Sequence, residues 1–256
     1  MYRSTGKPDW GDGIVLVAVS PHLDDAVLSI AALLSQAARE GALVKVVTVF
    51  AGDPASAERA GTFDAMCGFR TQGEAAGARR AEDREACARI GATPLWLEHA
   101  DSQYTQTRDG TLIWEEVAAS CAEADTVLVP GYPLAHPDHA YLAELLLRRG
   151  APAPRLGLYV EQPYALQRSS STGAPMPVPA LLREFISTVP TYESVSAGIR
   201  DRVAKWRAVG EYRSQLPLHR AIPGVRRTVS LRYRVPLLRA GEAVAWLAAD
   251  PRDLRL

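Results

Sequence analysis

Two short segments of the sequence combine histidine and aspartate at spacings that suit a metal site. They are SPHLDD at 20–25 and AHPDH at 135–139, and together they hold three of the five histidines. His22 and Asp25 are three residues apart, and the second segment repeats this spacing between its histidines. Residues three apart at the start of a helix present their side chains to the same side. Imidazoles and a carboxylate, with a water in the remaining position, form the ligand sets of catalytic zinc sites. The pattern predicts metal-assisted hydrolysis.

The histidines and aspartates of the two segments are predicted to be metal ligands, a general base and a group that assists the reaction. We expect His22, Asp25 and His139 to bind one Zn²⁺ per chain, although iron, cobalt or nickel suit the same donors. Asp24 faces away from Asp25 and stays free to take a proton from water, whose pKa a metal lowers to about 7. His136 is expected to stabilise the oxyanion or to protonate the leaving amine.

Each segment taken alone also fits an ordinary helix start. Asp24 and Asp25 follow a proline as helix-capping residues do, and so does Asp138. The occurrence of two such segments, both at predicted strand ends, favours a functional site. In that interpretation Asp138 does not bind the metal but holds His136 in its orientation.

The elements around these segments alternate between strand and helix. Continuous apolar, β-branched runs suit strands buried on both faces, and amphipathic segments ended by glycine suit helices. Predicted strands cover 14–19, 43–50, 94–98, 126–130 and 156–160, with a later candidate at 228–235. Predicted helices cover 24–40, 72–90, 113–123, 137–149 and 195–215. The alternation predicts an α/β, Rossmann-like fold, with a mostly parallel sheet flanked by helices.

Polar side chains follow the predicted strands, where open α/β sheets bind their ligands. These side chains are His22, Asp53, His99, Asp101, His136, His139 and Glu161. Two long connections, at 51–72 and 162–179, also follow strand ends and are placed to cover a site.

Composition narrows the class of protein further. The 256 residues predict one domain with an arginine-rich C-terminal extension from about residue 216. Basic and acidic residues both number 29, which gives no electrostatic reason to expect a nucleic-acid or membrane partner. The three cysteines lack metal-ligand spacing, and no signal peptide or membrane-length apolar run is present. We therefore expect a cytoplasmic protein, with a homo-oligomer left open.

The pair of segments resembles the PIG-L/LmbE-like family of zinc-dependent de-N-acetylases. Supporting similarities are FAGD at 50–53, RRAE at 79–82, DS at 101–102 and YRSQ at 212–215. The resemblance implies a Rossmann-like fold and removal of acetyl from an N-acetylglucosamine-type sugar of a metabolite, antibiotic or cofactor precursor. It also implies the metal, base and oxyanion roles given above. Leu23 and Ala26 replace a proline and a glutamate that are frequent in the family, and neither is a ligand.

The substrate is expected to be a small amino-sugar conjugate. By resemblance, Arg79 and Asp101 contact sugar hydroxyls, whereas the alternatives are a helix salt bridge for Arg79 and a turn for Asp101. Tyr132 lies near a strand end and is a candidate for stacking on a sugar ring. The arginines of the extension suit either a solvated surface or recognition of an anionic group on the substrate.

Three other functions remain open on the sequence alone. An amidase of the same chemistry would cleave a non-acetyl amide, such as a long acyl group or a thiol conjugate. Two histidines and one carboxylate also occur in non-haem iron oxygenases, although the strand–helix alternation argues against those folds. A sugar-binding protein with a decayed site is disfavoured, because every expected ligand and the base are present.

Overall fold

The structure is a computed structural model that describes residues 2–4, 9–105, 107–150, 153–165, 179–186, 191–215 and 242–249. Its strands are β1 (Tyr2–Ser4), β2 (Val15–Ser20), β3 (Leu43–Thr48), β4 (Ala92–Trp96), β5 (Thr126–Tyr132), β6 (Arg155–Val160), β7 (Glu193–Ser194) and β8 (Ala243–Ala249). Its helices are α1 (Asp25–Arg39), α2 (Thr62–Met66), α3 (Gln72–Arg89), α4 (Gly110–Ser120), α5 (Pro137–Arg149) and α6 (Ile199–Val209).

The strands form one mixed sheet in the order β1-β8-β6-β5-β2-β3-β4, and β7 pairs with β8. The run from β6 to β4 is parallel throughout. Strand β8 is antiparallel to β6, and β1 is antiparallel to β8. The prediction of a mostly parallel α/β sheet flanked by helices is confirmed.

Burial on both faces explains the continuous apolar run of β2. Leu16 and Ala18 belong to the core cluster that contains α1, while Val17 and Val19 belong to the cluster that contains α5. Successive side chains of a strand point to opposite faces, so both faces of β2 require apolar residues. The central strand therefore lies in a rigid, dry layer, and its carboxyl end is fixed.

The sheet reverses its strand order beside β2. From β2 the chain proceeds outward to β3 and β4, and then returns to place β5 on the opposite side of β2. Ligands of open α/β sheets bind in the crevice at such a switch point, outside the carboxyl ends of the strands. His22 follows β2 and His136 precedes α5 after β5, so both sequence segments border this crevice.

Helix α1 is interrupted directly after its first turn, and buried polar groups fill the gap. The residue after Ser29 leaves helical geometry (φ −134°, ψ 18°). The carboxylate of Glu242 accepts hydrogen bonds from the backbone N–H groups of Ala32 and Leu33. Lys205 donates to Glu242 at 2.7 Å and to the carbonyl of Ser29 at 3.1 Å. The interruption is thus fully hydrogen-bonded, and it separates the turn that carries Asp25 from the rest of the helix.

The structure differs from the predicted elements in several places. Helix α2 lies inside the connection 51–72, and the helix predicted over 195–215 spans Ile199–Val209. Strands β1, β7 and β8 were not predicted. The strand candidate at 228–235 and the arginine-rich segment lie outside the described residues. Within the described part of the chain, no helix combines the length and apolar character needed to cross a bilayer.

Candidate active site

The three predicted metal ligands come together at the carboxyl ends of β2 and β5. Nδ1 of His22 lies 3.1 Å from Oδ2 of Asp25. Nε2 of His139 lies 3.1 Å from the same oxygen and 3.2 Å from Nδ1 of His22. Ligand atoms about 2.0–2.1 Å from a tetrahedral metal are separated by about 3.3 Å. The three donor atoms therefore have the spacing of one face of such a coordination sphere.

The electrostatics of this triangle also suit a cation. Burial would lower the pKa of His22, but hydrogen bonds with Asp138 and Asp25 outweigh it and raise the pKa to about 9. The pKa of His139 rises to about 10, because Asp25 and Glu161 outweigh the effect of burial. Without a metal, the charge of Asp25 thus favours the protonated form of both imidazoles. A divalent cation would replace these protons, so the donor set fits a metal.

A carboxylate holds the second ring nitrogen of each histidine. Nε2 of His22 lies 2.9 Å from Oδ2 of Asp138, and Nδ1 of His139 is hydrogen-bonded to Glu161. Carboxylates in these positions fix the orientation and tautomer of metal-ligating histidines. The predicted contact with His136 is made by the backbone N–H of Asp138, which donates to Nδ1 at 3.2 Å, whereas its carboxylate is 3.9 Å from that nitrogen. That distance is too long for a hydrogen bond.

Arg108 anchors this arrangement from outside. Its Nη2 donates to Oδ1 of Asp138 at 2.7 Å, and the backbone N–H of Ser102 donates to Oδ2 at 3.0 Å. Burial would raise the pKa of Asp138, but hydrogen bonds from His22 and Arg108 hold it well below its usual range. The guanidinium lies 4.3 Å from the ring centre of Phe50. A chain of contacts thus runs from Arg108 through Asp138 to His22. Arg108 was not predicted from the sequence.

Asp24 occupies a strained backbone position and is left free for chemistry. Its φ of 145° and ψ of −31° lie in a region that residues other than glycine rarely adopt. Its side chain makes no capping hydrogen bond; the hydroxyl of Ser20 accepts from the N–H of Ala26 instead. Burial, and next the charge of Asp25, raise the pKa of Asp24 well above its usual value. The helix-cap explanation therefore does not account for this carboxylate.

His136 presents a neutral imidazole beside the triangle. Its Nδ1 accepts the backbone N–H of Asp138 and so caps α5, which leaves the ring proton on Nε2. Burial, followed by repulsion from His22 and His139, lowers the pKa of His136 to about 4. Ring nitrogens of these three histidines all lie within 4.8 Å of one another. His136 is thus placed to donate a hydrogen bond at neutral pH.

A cleft of about 260 Å³ opens above these groups. Its lining includes His22, Asp24, Asp25, Phe50, Phe63, Asp64, Gln72, Arg79, Asp101, Gln103, Tyr104, His136, Tyr164 and Gln215. Of the three predicted substrate contacts, Arg79 and Asp101 line the cleft. Tyr132 is not among the lining residues, and its ring packs against Tyr192 with 6.3 Å between centres.

Arg79 does not form the helix salt bridge that was its alternative explanation. Its ion-pair partner is Asp64, which belongs to α2 and was not singled out in the sequence. Asp101 accepts hydrogen bonds from the backbone and side chain of Gln103 at 2.9 and 2.8 Å. Both residues lie at the wall of the cleft, and the bond from the backbone of Gln103 is the turn contact that was the alternative explanation for Asp101.

The RRAE segment at 79–82 and the YRSQ segment at 212–215 are hydrogen-bonded to each other in the structure. Glu82 accepts hydrogen bonds from the backbone N–H and the hydroxyl of Ser214 at 2.8 and 2.7 Å. The next residue, Gln215, donates to the carbonyl of Leu23 at 2.8 Å. The late segment thus buttresses the turn that carries Asp24.

Comparisons with known proteins agree with this site. A family model described as GlcNAc-PI de-N-acetylase (PIG-L) matches residues 17–149, and the chain belongs to this family. The protein is accordingly a deacetylase. No curated protein sequence matches the chain at a significant level.

Solved structures give the same result. The A40926 pseudoaglycone deacetylase Dbv21 is 27% identical with a TM-score of 0.72, over 92% of this chain and 98% of its own. A triple mutant of a deacetylase involved in the teicoplanin biosynthetic pathway is 26% identical with a TM-score of 0.72, over 92% and 99%. An N,N'-diacetylchitobiose deacetylase from Pyrococcus horikoshii is 18% identical with a TM-score of 0.53, over 93% and 84%, and shows the fold alone.

Proposed function

We propose that the protein is a metal-dependent hydrolase that removes the acetyl group from an N-acetylglucosamine-type sugar of a larger metabolite. The observation that carries this proposal is the triangle of His22 Nδ1, Asp25 Oδ2 and His139 Nε2, with sides of 3.1–3.2 Å. Beside it lies the carboxylate of Asp24, which makes no helix-capping hydrogen bond. Zn²⁺ suits these donors, with Asp138 and Glu161 supporting the two histidines from behind.

The metal, when bound to these three residues, supplies the Lewis acidity that makes water reactive near neutral pH. Asp24 accepts a proton from the water that attacks the acetamide carbon. It then passes that proton to the departing nitrogen. As the C–N bond breaks, the products are acetate and a free amine.

His136 is assigned to the developing oxyanion. A neutral imidazole with its proton on Nε2 donates a hydrogen bond where negative charge appears on the carbonyl oxygen. The low pKa of His136 supports this role over proton transfer to the amine, since the ring rarely carries a second proton at neutral pH. Arg79 and Asp101 hold the sugar hydroxyls at the wall of the cleft.

The substrate class follows from the deacetylases that the chain resembles. Of the two at 26–27% identity, one is an A40926 pseudoaglycone deacetylase and the other is involved in the teicoplanin biosynthetic pathway. We infer that this chain also acts on an amino sugar attached to a small-molecule scaffold. A cleft of about 260 Å³ has room for the sugar and its acyl group.

Acyl length tests the proposed reaction directly. We expect release of acetate from alkyl glycosides of N-acetylglucosamine, with kcat/KM falling as the acyl group is lengthened to butanoyl and decanoyl. Amine formation is measured by a fluorogenic label, with metal-depleted protein as the control. Faster cleavage of the decanoyl substrate would replace the acetyl assignment by a long-chain amidase, and no cleavage of any glycoside would overturn the amino-sugar assignment.

Loss of Arg108 is expected to weaken metal binding although it contacts no metal donor atom. Arg108→Met leaves Oδ1 of Asp138 without its 2.7 Å partner, so His22 is no longer held in one orientation. We expect the metal affinity to fall by about 10–100-fold. Competition with a chromogenic chelator measures it.

The matched control is Arg149→Met, because among the described residues Arg149 donates to Thr111 on the exposed side of the neighbouring helix. The affinity of this variant should equal that of the wild type. Unchanged affinity in a folded Arg108→Met protein would show that Asp138 holds His22 without help from Arg108.

A further inference from the structure

The described lining of the cleft has an unusual balance of charge. Its acidic residues are Asp24, Asp25, Asp64 and Asp101. Among arginine and lysine side chains, the described lining carries Arg79. The first two carboxylates are accounted for by the proton transfer and the metal site. Three charged residues remain, Asp64, Asp101 and Arg79, and these can make the cleft select substrates by their charge.

Asp64 already occupies the guanidinium of Arg79. Nη2 of Arg79 lies 2.5 Å from Oδ1 of Asp64, and both side chains are buried. The guanidinium is also held by aromatic rings, at 5.0 Å from the centre of Phe63 and 5.8 Å from that of Phe69. An anion that binds Arg79 would therefore have to compete with Asp64 for the guanidinium.

Asp64 is itself held in place by Tyr104. The hydroxyl of Tyr104 donates a hydrogen bond to Oδ2 of Asp64, and the same hydroxyl accepts the N–H of Gly61 at 3.0 Å. The segment with Tyr104 also carries Asp101, so two carboxylates and one arginine form a single rigid wall. An anion placed beside this wall meets one neutralised cation and a second carboxylate.

From this arrangement we propose that Asp64 is a specificity-determining residue, which makes the enzyme select uncharged amino sugars over amino sugars that carry a phosphate or sulfate. The inference rests on the proposed function and adds the charge class of its substrate. Hydroxyl groups of a neutral sugar donate to Asp101 and accept from Arg79, whereas an anionic substituent is repelled across a partly desolvated cleft. The arginine-rich extension suggested the opposite preference, for an anionic substrate. Comparing rates for neutral and anionic sugars distinguishes these two hypotheses.

The wild-type enzyme provides the first test. Deacetylation is compared for methyl N-acetylglucosaminide, N-acetylglucosamine 1-phosphate and N-acetylglucosamine 6-sulfate. We expect kcat/KM for the neutral glycoside to exceed that for either anion by about tenfold, mostly through KM. Because the cause is electrostatic, the ratio should shrink as ionic strength rises from about 0.05 to 0.5 M.

Variants locate the cause at Asp64. Asp64→Asn removes the charge that neutralises Arg79 and should bring the ratio close to unity, whereas Asp64→Glu should keep the preference. Glu74→Gln is the matched control, because Glu74 pairs with Arg70 in an exposed ion pair at the start of α3. Its ratio should equal that of the wild type. Circular dichroism verifies that each variant is folded.

The outcomes distinguish this inference from the proposed function. Turnover of all three sugars at equal rates, or faster turnover of the anions, overturns the charge selectivity and leaves the deacetylase assignment intact. A preference that does not respond to salt, or to Asp64→Asn in a folded protein, also overturns it. If none of the sugars is deacetylated, the charge selectivity and the proposed function are both overturned. Should Asp64→Asn fail to fold, the salt dependence of the wild type decides alone.

Discussion

Asp24→Asn is expected to lower kcat by about a thousandfold or more while the protein still binds its metal, since loss of a positioned base costs about 10²–10⁴-fold. Asn cannot accept the proton of the attacking water, yet it is isosteric with Asp. Asparagine also tolerates positive φ better than most residues, so the strained turn at φ 145° is preserved. Alanine would confuse loss of the base with a change in the turn.

The measurement pairs single-turnover deacetylation with metal analysis of the same preparation. Asp125→Asn is the control, because Asp125 accepts the N–H of Val15 at 2.8 Å at the opposite edge of the sheet. That variant should retain full activity. If Asp24→Asn binds metal and keeps more than about a tenth of the wild-type rate, another group is the base and the assignment of Asp24 is wrong.

The parts of the site that the sequence predicted are those set by local geometry. The apolar run of β2 predicted a strand buried on both faces, and the spacing of His22 and Asp25 predicted two candidate metal ligands after its end. The same reasoning applied to β5 and His139. Because parallel strands end at one edge of the sheet, two local patterns were sufficient to predict one shared site.

The supporting residues could not be found in this way. Asp138 lies two residues from His136 but accepts from His22, which is 116 positions away in the sequence. The start of α5 turns its carboxylate back across the crevice, and sequence spacing carries no information about that direction. Arg108 and Asp64 lie in connections without a periodic pattern, and only their contacts reveal what they do.

Two misjudged elements have a similar cause. Strand β8 is a short apolar run whose pattern does not distinguish strand from buried helix. In the fold it pairs antiparallel with β6, on the edge that the parallel strands leave open. Helix α2 has five residues, too few for a helical period to show in the sequence, yet it carries Asp64 into the cleft.

The largest effect on the metal is expected from replacing both histidine ligands. In a His22→Gln, His139→Gln variant, Asp25 alone remains of the three donors, and one carboxylate does not hold a divalent cation at micromolar concentration. We expect about one Zn²⁺ or other divalent metal per chain in the wild type, by mass spectrometry, and none in the variant. Glutamine keeps much of the volume and a polar end group for the buried position of His139.

Thermal unfolding adds an independent readout of the same site. Added metal should raise the Tm of metal-depleted wild type, because binding to the folded state alone stabilises it by mass action, and leave the variant unchanged. The matched control is His99→Gln, since His99 pairs with Glu116 outside the triangle and should affect neither metal content nor the metal-dependent Tm. Metal retained by the double variant would place the ion elsewhere. Wild type that binds none after reconstitution would mean that the triangle holds only protons, and the hydrolytic role of Asp24 would then lose its basis.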